Sequence, residues 1–240
     1  MFIEKVRRVI KKMSLPFTYS NNLQIKELLY FQALINLLPV KMDIHPFGGS
    51  ANAGLLYFLG RFSKEFTDLN ILELGMGQTT LLLNSFSLNQ KNHIAYDDNE
   101  FWVQNIKTKL MYNQTSKLNF KNLEQVVVNK NNTNFYKDLN DEMKDQYIDL
   151  VIVDGPKGSK KLSRSGIIPL LVKKFTSQDN LVVIFDDTHR RPEFESFELL
   201  VKMLKQENQW DSNYKIKYIN ASKSQACIIK GQKYLSSYYY

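Results

Sequence analysis

The chain has 240 residues, 43% of them hydrophobic, with 32 basic against 24 acidic side chains and a net charge of +8. This is enough apolar material for one large α/β domain with a full core, and no internal repeat suggests a solenoid. The charge would attract polyanions such as acidic glycan, anionic lipid or nucleic acid, but the basic residues are scattered and form no stripe interleaved with aromatics, which argues against a nucleic-acid footprint.

Residues 1–45 read as a helical cap and residues 46–240 as the main domain. In the first helix Phe2, Ile3, Val6, Val9, Ile10 and Met13 share a face opposite Lys5, Arg7, Arg8, Lys11 and Lys12. That pattern suits packing on the domain or peripheral contact with an anionic membrane. A second helix carries Leu28, Leu29, Phe31, Ile35 and Leu38 and stops at Pro39. After the loop "HPFGGSANAG", Ser50 is the expected N-cap of a helix through Leu55, Leu56 and Leu59. No secretory leader is visible, and the run "LLYFQALINLLPV" is too short and too polar to span a bilayer, so a cytoplasmic protein is expected.

From Leu69 short apolar strands alternate with helical stretches, the pattern of a parallel sheet covered on both faces. The strands are "NILEL", "HIAYD", "EQVVV", "IDLVIVD", "LVVIFD", "KIKYI" and "QACIIK". Helices are expected around Thr80 to Phe86, Glu100 to Met111, Phe135 to Met143, Ser163 to Phe175 and Glu193 to Lys205. The last two strands are joined by the short turn "NASKS", so the sheet should end in an antiparallel hairpin. The fold class is therefore α/β, a Rossmann-like doubly wound sheet of seven strands, mostly parallel, with a helical cap. The single cysteine, Cys227, lies in one of these strands, cannot form an internal disulfide and fits a reducing compartment. The terminal "SSYYY" reads as a frayed tail.

The first strand leads into "ILELGMGQTT". Gly75 and Gly77 stand in a strand-to-helix turn, where missing side chains let a ligand approach the backbone and the helix N-terminus offers unpaired N–H groups. A dinucleotide fingerprint would have glycine or alanine at Thr80, and it does not call for Glu73 two residues before the first glycine. At the end of the second strand, Asp97 is placed to accept two ribose hydroxyls, with Asp98 as its neighbour.

This arrangement resembles the class I S-adenosylmethionine-dependent methyltransferases over roughly Leu69 to Lys230. The resemblance implies that the loop of Glu73, Gly75 and Gly77 holds the methionine end of the cofactor and that Asp97 holds its ribose, with Thr79, Thr80 and Asp154 bordering the same site. Many members carry a third glycine where this chain has Thr79, whose hydroxyl would instead bond the cofactor carboxylate.

The fourth strand ends in "VDGPKGSKKLSRSG" and the fifth in "FDDTHRRPE". In a doubly wound sheet these ends are adjacent, so Asp154, Asp186 and Asp187 should converge and repel one another unless a cation neutralises them. Oxygen-only ligands suit Mg²⁺, Mn²⁺ or Ca²⁺. This half resembles the metal-dependent O-methyltransferases of the catechol and sugar types, which implies a divalent ion on the three acids. The catechol type also places a catalytic lysine three residues after the first acid, the spacing of Lys157 from Asp154. Lys157 would then take the proton of an acceptor hydroxyl acidified by the ion, with His189 as the rival base. Arg164, Arg190 and Arg191 border the same edge and are candidates to hold a carboxylate or phosphate on the substrate. His45 and His93 read as structural.

A nucleic-acid amino-methyltransferase would usually carry an Asp/Asn-Pro-Pro-aromatic motif where this chain has "DGPK", so a hydroxyl acceptor is favoured. The segments "DGPKG", "SR" and "DDTHRRPE" resemble methyltransferases of polysaccharide assembly, implying a sugar hydroxyl in a surface glycan or a glycosylated metabolite. A catalytically silent cofactor-binding module remains the alternative from another class.

Overall fold

The computed structural model describes residues 22–39, 51–110, 116–207 and 210–240. Their elements are α1 (residues 22–37), α2 (Ala53–Glu65), β1 (Leu69–Leu74), α3 (Gln78–Ser85), β2 (Gln90–Asp97), α4 (Glu100–Lys109), β3 (Ser116–Phe120), β4 (Leu123–Val128) and β5 (Asn131–Tyr136). There follow α5 (Leu139–Met143), β6 (Leu150–Val153), α6 (Ile168–Ser177), β7 (Leu181–Phe185), α7 (Arg191–Gln206), β8 (Tyr214–Asn220) and β9 (Ser224–Lys230). Seven strands form one sheet in the order β3-β2-β1-β6-β7-β9-β8. Neighbours are parallel from β3 to β7, and β9 runs antiparallel to both β7 and β8. This is the doubly wound sheet with an antiparallel edge that the sequence implies.

β6 and β7 are buried at every position because helices cover both faces of the sheet. Strand alternation divides their side chains between two layers. Val151, Val153, Val183 and Phe185 pack with Phe175 of α6 and Phe197 of α7, while Ile152, Val182 and Ile184 pack with Leu55 and Phe62 of α2. Burial of each such side chain contributes about 1.5–3 kcal/mol. The strand ends that carry Asp154 and Asp186 are thereby fixed from both sides. Cys227 is fully buried in β9, and burial pushes its thiol up to about 12, which leaves it inert.

Several sequence expectations are corrected. The segment "EQVVV" is not the third strand of the sheet; it belongs to β4, which pairs with β5 in a separate two-stranded ribbon. The ribbon turns through Asn129 and Lys130, both in the left-handed region at φ 47° and 63°, a tight hairpin turn without the usual glycine. The sheet's third strand is "SKLNF", an edge strand in which Ser116 and Leu118 are the buried positions. Phe135 and Tyr136 end β5, so the helix expected from Phe135 is only Leu139–Met143. The terminal "SSYYY" is not frayed. Residues Gln232–Tyr239 form a 3₁₀ helix in which Tyr234 is buried and bonds Asp149, and the Tyr240 hydroxyl donates to Glu65 at 2.6 Å.

The N-cap of α2 is Asn52, whose Oδ1 accepts from the Leu55 N–H at 2.9 Å. On α1 the apolar residues Leu28, Leu29 and Ile35 are exposed, while Leu34 and Glu27 are buried. The Glu27 carboxylate accepts from the first free N–H of α2, at Ala53, and from the Ser222 N–H at 3.1 Å, so a charge complementing the helix N-terminus docks α1. The amphipathic stripe Phe2 to Met13, Ser50 and His45 lie outside the described residues. Among the described residues no helix is long and apolar enough to cross a membrane.

Candidate active site at the carboxyl edge of the sheet

Parallel register sets Tyr96, Leu74, Val153 and Phe185 side by side on β2, β1, β6 and β7. The next residue on each strand is Asp97, Gly75, Asp154 and Asp186, and the hydrogen-bond ladder extends to them. Gly75 N–H donates to Tyr96 O at 2.8 Å, Asp154 N–H to Leu74 O at 2.8 Å and Asp186 N–H to Val153 O at 3.1 Å. The chain order reverses between β1 and β6, the position where open α/β sheets bind ligands.

The two glycines serve different ends. Gly75 sits at φ +87°, and a Cβ there would lie 2.8 Å from Gly155 N and 2.9 Å from Asp154 C, so the β1 and β6 loops touch through backbone alone. At Gly77 a Cβ would meet nothing within 4 Å among the described residues, because the residue faces a cavity of about 250 Å³ walled by Met76, Thr79, Trp102, Ile106 and Asp154. Between them, Met76 is held at both backbone groups. Its N–H donates to Asp97 Oδ2 at 2.9 Å and its carbonyl accepts from Trp102 Nε1 at 2.7 Å. Gly75→Ala is expected to lower the melting temperature, with strain of about 1–3 kcal/mol from the backbone conformation before the clash is counted. Gly77→Ala should keep wild-type stability and lose ligand affinity, which thermal melts and calorimetry with S-adenosylhomocysteine would separate.

The polar residues of the loop face inward. Glu73 shares a sheet face with Leu69 and Ile71, so its carboxylate points towards α3 and is fully buried. There it accepts from the Thr79 hydroxyl and pairs with His93 Nε2 at 3.0 Å, while His93 Nδ1 lies 2.9 Å from Ser116 Oγ. Thr80 Oγ1 accepts from the Gly77 N–H at 2.9 Å. Glu73, Thr79 and Thr80 therefore shape the loop, and only Thr79 among them lines the cavity. Asp97 accepts from the N–H groups of Met76 and Asn99; burial raises its carboxyl above the ordinary range, against the pull of those two bonds.

On the other side of the switch point, Asp154, Asp186 and Asp187 each offer an oxygen within 4.8 Å of the others. Asp186 and Asp187 are buried, while the Asp154 side chain keeps 31% of its surface. Burial and then the Asp186 charge push Asp154 well above the usual carboxylate range; burial and Asp187 raise Asp186, with a 2.7 Å bond from Gln225 Nε2 opposing. Among the described residues, the buried Oδ1 of Asp187 has no hydrogen-bond partner, and its nearest cation is Lys223 Nζ at 3.8 Å. Three hard oxygen donors with one unsatisfied buried oxygen fit a divalent cation of the Mg²⁺ or Mn²⁺ kind.

Arg164 is buried and turned into the cluster, paired with Asp154 and Asp187, and Arg190 pairs with Asp187 at 3.0 Å. Arg191 lies further out, paired with Glu195. Lys157 and His189 are exposed on the loops that leave Asp154 and Asp187, and neither has a polar partner among the described residues. The inward roles of Arg164, Gln225 and Lys223 escape sequence reasoning, since each depends on tertiary placement. Trp102 was legible only as part of "DDNEFW", five residues beyond Asp97.

The fold has counterparts among solved structures. An O-methyltransferase from Bacillus cereus in complex with S-adenosylhomocysteine superposes with a TM-score of 0.53 over 87% of this chain and 90% of its own, at 11% identity. The fold is that of the class I methyltransferases. An S-adenosylhomocysteine-bound methyltransferase from Podospora anserina (TM-score 0.49, 11% identity, 86% of this chain and 88% of that one) and an rRNA methylase from Streptococcus thermophilus (0.43, 10%, 80% and 100%) are further matches. No family model and no curated protein matches the sequence. Within the methyltransferase fold, the Gly77 cavity and the acid cluster occupy adjoining parts of one edge, and Asp154 borders both.

Proposed function

We propose that the protein transfers a methyl group from S-adenosylmethionine to a hydroxyl of a sugar, in a surface glycan or a glycosylated metabolite, with a divalent cation, Mg²⁺ or Mn²⁺, at the acid cluster. The observation that carries this reading is the row Asp97, Gly75, Asp154 and Asp186 on four adjacent strands. It sets a cavity closed by a glycine turn beside three carboxylates, as a cofactor next to an ion-assisted acceptor would require.

The cofactor supplies an electrophilic methyl on sulfur, and a divalent ion supplies a Lewis acid that makes a hydroxyl easier to deprotonate. The protein's own residues would do the rest. Asp97 would accept the ribose hydroxyls, Gly77 would let the cofactor lie against the backbone, and Glu73 would hold the turn through Thr79. Asp154, Asp186 and Asp187 would hold the ion. Lys157 would receive the acceptor's proton at Nζ, with His189 as the less favoured base. A second reading, a silent module that binds the cofactor without turnover, draws support from the basic side chains that already offset the acids.

Asp97→Ala is expected to weaken S-adenosylhomocysteine binding by roughly ten- to a hundredfold, since a charge-assisted hydrogen bond contributes about 1.5–3 kcal/mol. Calorimetry tests it. Wild-type protein that binds NAD but gives no heat with S-adenosylhomocysteine would exclude the methyltransferase reading.

A further inference from the structure

A buried arginine occupies the centre of the acid cluster. Arg164 is 5% exposed and sits at φ 65°, a left-handed conformation uncommon for a non-glycine residue. Its Nη1 donates to the backbone carbonyls of Asp186 at 3.1 Å and Val153 at 3.4 Å, the adjacent ends of β7 and β6. Its Nη2 donates to Asp187 Oδ2 at 3.2 Å and stands 3.2 Å from Asp154 Oδ1. One planar fork thus joins two strand ends and two of the three acids, which a lysine's single point charge could not do. Arg190 and Lys223 also pair with Asp187, so three cations already face three carboxylates; Glu193, close enough to raise Arg164 further, adds a fourth acid.

We propose that Arg164 is the resident counter-cation of this cluster, and that a divalent ion binds there in competition with the ion pairs of Arg164 to Asp154 and Asp187. This rests on the cation site proposed above. Arg164 would orient the carboxylates; it would also oppose the ion by like charge at close range in a poorly solvated site. It is a positioning residue that sets how tightly the site takes metal.

Mn²⁺ titration followed by the paramagnetic resonance of the free ion tests this on the full-length wild type, Arg164→Gln, Arg164→Lys and the double variant Asp154→Asn/Arg164→Gln, at one fixed salt concentration. Arg164→Gln should bind Mn²⁺ about tenfold more tightly than wild type or better, since a unit charge a few ångströms away is removed. Arg164→Lys should fall between the two, because its flexible stem can withdraw. The gain should vanish in the double variant. Equal or weaker binding by Arg164→Gln, alongside measurable wild-type binding, overturns the competition and leaves the cation site standing. No Mn²⁺ binding by any form removes the cation site and the competition with it. Retention of the gain in the double variant places the ion elsewhere and also overturns the proposal. If Arg164→Gln fails to fold, judged by circular dichroism and S-adenosylhomocysteine binding, Arg164→Lys decides: tighter than wild type supports the proposal, equal or weaker overturns it.

Discussion

Replacing Lys157 by Met is expected to lower kcat by about 10²–10⁴-fold while leaving S-adenosylhomocysteine affinity nearly unchanged. The lysine follows Asp154 by three residues on an exposed loop and is committed to no other polar group among the described residues. Its side chain is therefore at liberty to turn towards an acceptor held near Asp154. Methionine keeps an unbranched stem of similar length and removes only the proton-accepting nitrogen, so a folding defect is not expected. The cavity proposed for the cofactor is walled by Gly77, Thr79, Trp102 and Asp154, and Lys157 is not among its lining residues, which is why binding should survive. His189→Ala should cost much less. Stopped-flow or steady-state methyl transfer on both variants decides the assignment. A larger loss in His189→Ala would make the histidine the base and the lysine spacing a coincidence.

The parts of the molecule legible in the sequence are those in which one residue type answers one local demand. β6 and β7 declare themselves as unbroken apolar runs because both of their faces are covered, and each ends where a charge first appears. The position of Gly75 follows from a backbone conformation and a close approach that side chains do not tolerate. β3 was missed because an edge strand buries little, and "EQVVV" was the better apolar run within the wrong sheet. At the site, the row of Asp97, Asp154 and Asp186 could be inferred from strand ends. What could not be inferred is which way a side chain turns. Glu73 lies within the strand, not past its end, so the alternation that buries Ile71 also buries Glu73, against His93 and Thr79. Arg164 reads as a candidate anchor for a substrate anion in "KLSRSG", and the turn after β6 folds it under the acids instead.

Chelation should abolish methyl transfer, and Mg²⁺ or Mn²⁺ should restore it; Asp154→Asn should lose the ion while keeping S-adenosylhomocysteine affinity within a few-fold of wild type. The variant tests the link between the two halves of the site, because Asp154 borders the Gly77 cavity and also belongs to the acid cluster. Asparagine preserves the shape and the backbone ladder bond to Leu74, so the cavity wall stays in place. It removes one of three anionic donors, and a hard cation held by carboxylates loses both charge and a ligand. The expected signature is a melting temperature that rises with Mn²⁺ in wild type and is unmoved in Asp154→Asn, with both proteins giving similar heats for S-adenosylhomocysteine. Full activity in excess chelator would take the ion out of the mechanism. The acids would then be a structural network compensated by Arg164, Arg190 and Lys223, and Lys157 would have to act on a hydroxyl that no ion acidifies, which requires a more acidic acceptor than an ordinary sugar alcohol.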